Sequence, residues 1–122
     1  MKILIIGFGG FIGAVFRFLV SRFVNTLLPF NIPLGTLFVN VLGSFALGYI
    51  YTLSVEKLAI TENFRIFMGI GLLGAFTTFS TFSLESVSLL EDGLYGMFFL
   101  NIFFNVVLSI FFAVLGIYLA RL

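Results

Sequence analysis

Between Arg65 and Glu85 the chain runs through residues 66–84 without a charge. At about 1.5 Å of rise per residue, that is roughly long enough to cross a bilayer as a helix. The first half carries Gly69, Gly71 and Gly74; the second alternates hydroxyls with phenylalanines, Phe76-Thr77-Thr78-Phe79-Ser80-Thr81-Phe82-Ser83. Glycine is conformationally loose, and Ser and Thr compete for backbone hydrogen bonds, so a continuous helix is disfavoured. Non-helical backbone at membrane depth survives only where protein buries it or water lines it. The stretch therefore predicts a membrane helix broken near residues 75–79, and such breaks tend to mark ion or substrate sites.

Hydrophobic residues make up 61% of the 122-residue chain and charged residues 9%. Soluble domains carry about a quarter charged residues, so a soluble fold could not hide this apolar surface. The expected fold is an all-α membrane protein, one domain over residues 1–122 with four spans at about 3–24, 33–55, 64–90 and 94–119. Pro33 suits the start of the second span, where a missing N–H costs nothing. Glu91-Asp92-Gly93 reads as a helix stop and turn. No small-x-small cleavage site cleanly follows the first apolar run, which is expected as an uncleaved span.

The absence of cysteine and histidine removes disulfides, thiolate and imidazole metal sites and histidine catalysis. There is no phosphate-binding GxxxxGK[ST] loop, and a net charge of +1 gives no pull on nucleic acid. Neither a nucleotide nor a nucleic acid is an expected partner. Hydroxyls abound, but no base stands by to activate one, so the chain is not expected to be an enzyme.

An even number of spans puts both termini on one side, with Lys2, Lys57, Arg65 and Arg121. The other side has Arg22 and, where it reaches the surface, Arg17. Four against two is a weak positive-inside bias, so the chain could insert either way up. That permits an antiparallel dimer without demonstrating one.

In the first span, Gly9 and Gly13 are spaced for close helix approach in lipid, a packing seam. Arg17 serves equally as an orientation anchor or as an anion-attracting group at an aqueous entrance. The second span lines up Thr36, Asn40, Ser44 and Gly48 at intervals of four; the fourth does so with Asn101, Asn105, Ser109 and Ala113. One membrane asparagine is usually glue between helices. Three, with serines in register on two helices, favour a polar track for a small solute.

Phe76, Phe79 and Phe82 recur every three residues and in helical geometry form a ladder. Ladders of this kind are more often packing than chemistry. A phenyl edge is electropositive, however, and Asn amides and Ser/Thr hydroxyls nearby offer donors. With no carboxylate inside the uncharged runs, where a cation pathway commonly shows an acidic ring, the track leans towards a small anion. The break also leaves carbonyls around Gly74 to Thr77 that could hold a hard cation, unless water or the adjacent hydroxyls satisfy them.

Gly74-Ala75-Phe76-Thr77-Thr78-Phe79-Ser80-Thr81-Phe82-Ser83, Gly35-Thr36-Leu37-Phe38-Val39-Asn40-Val41-Leu42-Gly43-Ser44 and Gly13-Ala14-Val15-Phe16-Arg17 together resemble the fluoride channel family, the Fluc or CrcB proteins. The likeness covers essentially the whole chain. It implies an antiparallel, dual-topology homodimer with two fluoride pores in the inner cell membrane, exporting cytoplasmic fluoride passively. By the same resemblance, Phe79 and Phe82 are the paired phenylalanines that contact fluoride, Asn40 is the asparagine facing them, and Asn101, Asn105 and Ser109 continue the fluoride pathway as the polar track on the last helix. Arg17 and Glu85 sit near the vestibules. Backbone carbonyls of Gly74 and Thr77 hold a structural sodium that is not transported. Ala75 departs from the family, where many relatives have a second glycine. A rival of another class is a small four-span multidrug or cation exporter. It needs a membrane-embedded acid for proton exchange, and the first span offers Arg17 and no carboxylate.

Overall fold

The computed structural model describes all residues, Met1–Leu122, and the chain is helical apart from short links. Four helical segments are long and apolar enough to cross a membrane: Lys2–Leu27, Leu34–Glu56, Glu62–Glu91 and Tyr95–Arg121. The first is helix α1 (Lys2–Leu27) and the last is α6 (Tyr95–Arg121). The second is α2 (Leu34–Tyr51), with Pro33 one position outside as its cap, closed by a π-helical turn over Thr52–Glu56.

The third segment changes geometry along its length. It opens as α3 (Glu62–Arg65), capped by the Thr61 side chain, and continues as a π-helical stretch over Ile66–Leu73. Helix α4 (Gly74–Phe76) follows, Thr77 and Thr78 are extended, and α5 (Phe79–Glu91) then resumes the helix. The turn into α6 is closed by two hydrogen bonds, Leu94 N–H to the Leu89 carbonyl (2.9 Å) and Gly93 N–H to that of Leu90 (3.1 Å). Gly93 sits at φ 77°, which glycine tolerates without penalty and which ends α5 sharply.

The packing is inverted relative to a soluble protein. The largest fully buried side chains are Val39, Asn101 and Thr52, while Phe11, Phe23, Phe99 and Phe111 are exposed. Lipid accepts those rings at no cost, so apolar burial cannot drive helix association; close backbone contact and hydrogen bonds must. Both devices are present. α2 packs along α6, and α1 packs along the π-helical stretch and α4. A Cβ on Gly9 would stand 2.6 Å from the Phe67 carbonyl oxygen, and one on Gly71 would stand 2.9 Å from that of Ile6. The glycine seam of α1 is thus a backbone-to-backbone contact.

At one end of the bundle Lys2 bonds Glu62 (2.9 Å), and Arg121 forks onto Glu56 (2.8 and 2.6 Å). These exposed pairs tie both chain termini to the link between the second and third spans. They place both termini on one side of the bundle.

Candidate functional site

Where helical geometry stops at Thr77, peptide groups lose their ladder partners and need others. Asn40 on α2 supplies two of them. Its Oδ1 accepts the N–H of Thr78 at 2.8 Å, and its Nδ2 donates to the Thr78 carbonyl at 3.1 Å. The Thr78 hydroxyl in turn caps α5 by accepting the N–H of Thr81 at 3.1 Å. Thr77 turns its hydroxyl back onto the Leu73 carbonyl at 3.0 Å. Gly43 leaves the room: a Cβ there would run into the Thr77 methyl and stand 3.3 Å from the Phe76 ring.

From Asn40 the polar contacts continue across to α6. Asn40 Nδ2 also donates to Asn105 Oδ1 at 3.0 Å. Asn105 Nδ2 donates to the Asn101 carbonyl at 2.9 Å and to Asn101 Oδ1 at 3.1 Å. Asn101 Nδ2 donates to Ser86 Oγ at 2.9 Å, and Ser86 donates to the Phe82 carbonyl at 2.8 Å. Asn101, Asn105 and Ser86 are all buried. Buried amides are costly unless paired, about 1–3 kcal/mol for each group left without a partner. This chain pairs them on α2, α5 and α6 at once.

In front of these amides lies an open groove of about 280 Å³, lined by Asn40, Ser44, Thr78, Phe79, Phe82, Asn105 and Ser109 among others. The Phe79 and Phe82 rings stand 5.4 Å apart, tilted by 59°. Phe82 is buried, whereas Phe79 is 77% exposed on the surface of the single chain. Ser109 is the odd member: its hydroxyl is buried and has no hydrogen-bond partner.

Five of the residues singled out from the sequence, Asn40, Phe79, Phe82, Asn105 and Ser109, therefore share one groove. Asn101 stands behind it, fully buried and joined through Asn105. Two sequence expectations change. The phenylalanine ladder loses its first rung, because the two extended residues turn Phe76 away from the α5 pair and into the protein. The amide hydrogens of Asn40 and Asn105 are also spent within the protein, which leaves hydroxyls and ring edges as the groove's free electropositive groups.

Arg17 and Glu85 flank Thr36 in the first turn of α2. Arg17, half-buried, lines a second, smaller cavity of about 190 Å³ with Ser21, Thr36, Thr78 and Thr81. Glu85 accepts a hydrogen bond from the Thr36 hydroxyl. Gly74 lies on the exposed surface. None of the loop and cap hydrogen bonds ends on the carbonyls of Gly74, Ala75, Phe76 or Thr77, so this end of α4 presents neutral oxygens. That donor chemistry fits a hard monovalent or divalent cation better than any softer metal.

Sequence reasoning did not single out Ser86 or the capping role of Thr78. Ser86 stands four residues after Phe82 on the same face of α5, a spacing that would have joined it to the polar stripe.

The family model described as CrcB-like protein, Camphor Resistance (CrcB), matches residues 4–117. A Campylobacter jejuni protein (strain 81-176) named fluoride-specific ion channel FluC is 49% identical over 114 residues, 93% of each chain. The protein of the same name from Thermosipho melanesiensis is 48% identical over 120 residues, 95% of this chain and 96% of its own. That of Thermotoga petrophila is 56% identical over 90 residues, 73% and 71% of the two chains. The span covered and the level of identity leave one assignment: the chain belongs to the CrcB family.

Proposed function

We propose that this protein is a fluoride channel, a non-enzyme that lets cytoplasmic fluoride leave the cell passively and so confers resistance to it. The relatives' shared name supports the ion. The observation that carries the pathway is the groove itself, which brings Asn40, Phe79, Phe82, Asn105 and Ser109 together. A compact anion entering there meets an O–H donor and electropositive ring edges in place of its hydration shell. No full charge lines the groove, so binding stays weak enough for the ion to leave. Arg17 at the neighbouring cavity raises the local concentration of anions.

The same reading takes the extended pair Thr77–Thr78 as the break in a membrane-crossing third span. It takes two copies, inserted head to tail in the inner cell membrane, as the working unit. The exposed Phe79 ring and exposed Gly74 support a second copy covering this face. A sodium ion held by the carbonyls of Gly74 and Thr77 would supply a fixed positive charge that keeps neutral oxygens from repelling one another. It is structural and is not carried.

Growth separates this reading from a multidrug exporter. Cells lacking their own fluoride export and expressing this protein should tolerate fluoride and gain nothing against quaternary ammonium compounds; the reverse pattern refutes the proposal. Replacing sodium by a bulky organic cation should abolish fluoride efflux from reconstituted vesicles, and unchanged efflux removes the sodium from the account.

A further inference from the structure

On another face of the α2–α6 pair lies a second groove, opposite in character to the polar one. Two cavities of about 300 and 290 Å³ meet there at Phe38, Val41 and Phe112, and no residue lining either carries a polar side chain. Neither shares a residue with the polar groove, and α5 takes no part in them. On α2 the lining residues Leu34, Phe38, Val41 and Phe45 recur at intervals of three and four, which makes one continuous helix face.

Three properties select the occupant. The first is depth. The groove starts at Leu28 and Leu34, which flank the link between the first two spans, and Phe45 lies about 16 Å further along α2. A hydrocarbon core is about 30 Å thick, so the groove has the depth of one leaflet. The second is width. A helix about 10 Å across would need roughly 1,200 Å³ over that length, about twice the two cavities together, whereas a single unbranched chain fits. The third is charge. Between Lys2 and Glu56 the only charged residues are Arg17 and Arg22, and Arg22 is exposed two residues before Val24, which lines the groove. Glu85, Glu91 and Asp92 belong to α5 and the turn after it, away from the lining.

We propose that this groove binds one acyl chain of a membrane phospholipid, whose phosphate lies at the α1–α2 link beside Arg22. Apolar contact alone gains little over contact with any other lipid, since the surrounding tails are equally apolar. Retention comes from the close fit of one chain to a wall made by α1, α2 and α6, and from the cation at its mouth.

The test uses the full-length protein, purified in detergent with dioleoyl phosphatidylglycerol, and counts lipids per chain by native mass spectrometry. The wild type should keep one lipid per chain through detergent exchange. Val41→Trp fills the groove and should lower that occupancy at least about tenfold. Leu108→Phe, a smaller filler on the facing helix, should lower it too and decides the matter where Val41→Trp does not fold. Val114→Trp, exposed on α6 outside the groove, should keep the lipid. A wild type without lipid, or equal occupancy in the filled and control variants, overturns the proposal. So does an oligomer mass that changes in Val41→Trp while the lipid stays, which would put a second copy in the groove. Arg22→Gln should weaken retention of phosphatidylglycerol about fivefold, the scale of one cation beside lipid phosphate. Unchanged retention overturns the contact with Arg22.

Discussion

The two halves of the third span hold to their neighbours by opposite means. The first half, through the π-helical stretch, leans its backbone on α1 with glycines facing carbonyls, and the one side-chain bond between them is the exposed Lys2–Glu62 pair at the end. The second half, α5, touches α2 and α6 less extensively and is held by Asn40, Asn101 and Glu85 through named polar contacts. In lipid both work, since neither relies on an apolar driving force. They differ in what they leave behind. A close-packed backbone seam leaves no room for a ligand, whereas a polar framework leaves a groove in front of it. The wall is built in the first half and the groove in the second.

Substitutions can set the two halves against each other. Gly13→Leu should have the largest effect: even a Cβ would stand 2.9 Å from the Leu72 carbonyl carbon, backbone that cannot move aside. A loss of about 3 kcal/mol or more is expected, with little folded protein recovered by size-exclusion chromatography. Phe82→Ile strikes the other half. It should cut fluoride efflux at least about tenfold (about 1.4 kcal/mol in barrier), while the protein elutes as the wild type does. Unchanged efflux removes Phe82 from the pathway.

Ser109→Ala sharpens the contrast, because function and stability should move apart. Efflux should fall several-fold, yet thermal stability should hold or rise by about 1 kcal/mol, since an unpaired buried hydroxyl is lost. A matching fall in stability would mean that the hydroxyl is paired after all. The smallest effect is expected at Gly7, which has nothing within 4 Å of its Cβ position. Gly7→Ala should stabilise α1 by about 0.5–1 kcal/mol with efflux unchanged, and a loss of stability would place Gly7 in a contact with another copy.

Much of this arrangement could be read from local spacing. The intervals of four at Asn40 and Ser44, and at Asn105 and Ser109, place both stripes on single helix faces, and the two stripes meet in one groove. Gly9 and Gly13 form the seam that their spacing suggests. Where local spacing misleads, the cause is non-local. The Phe76–Phe79–Phe82 period assumes continuous helix, and two extended residues break the phase. The amide orientations were hidden because they depend on where Thr78 lies in space, 38 positions from Asn40. The π-helical stretch, packed along α1, leaves no mark in the order of residues.

Vesicles containing only this protein and loaded with equal fluoride and chloride put the pathway itself on trial. With an electrode for each ion, fluoride should leave within the dead time set by mixing while chloride stays inside. Retention of both ions at the level of protein-free vesicles, or release of both at the same rate, would contradict the account.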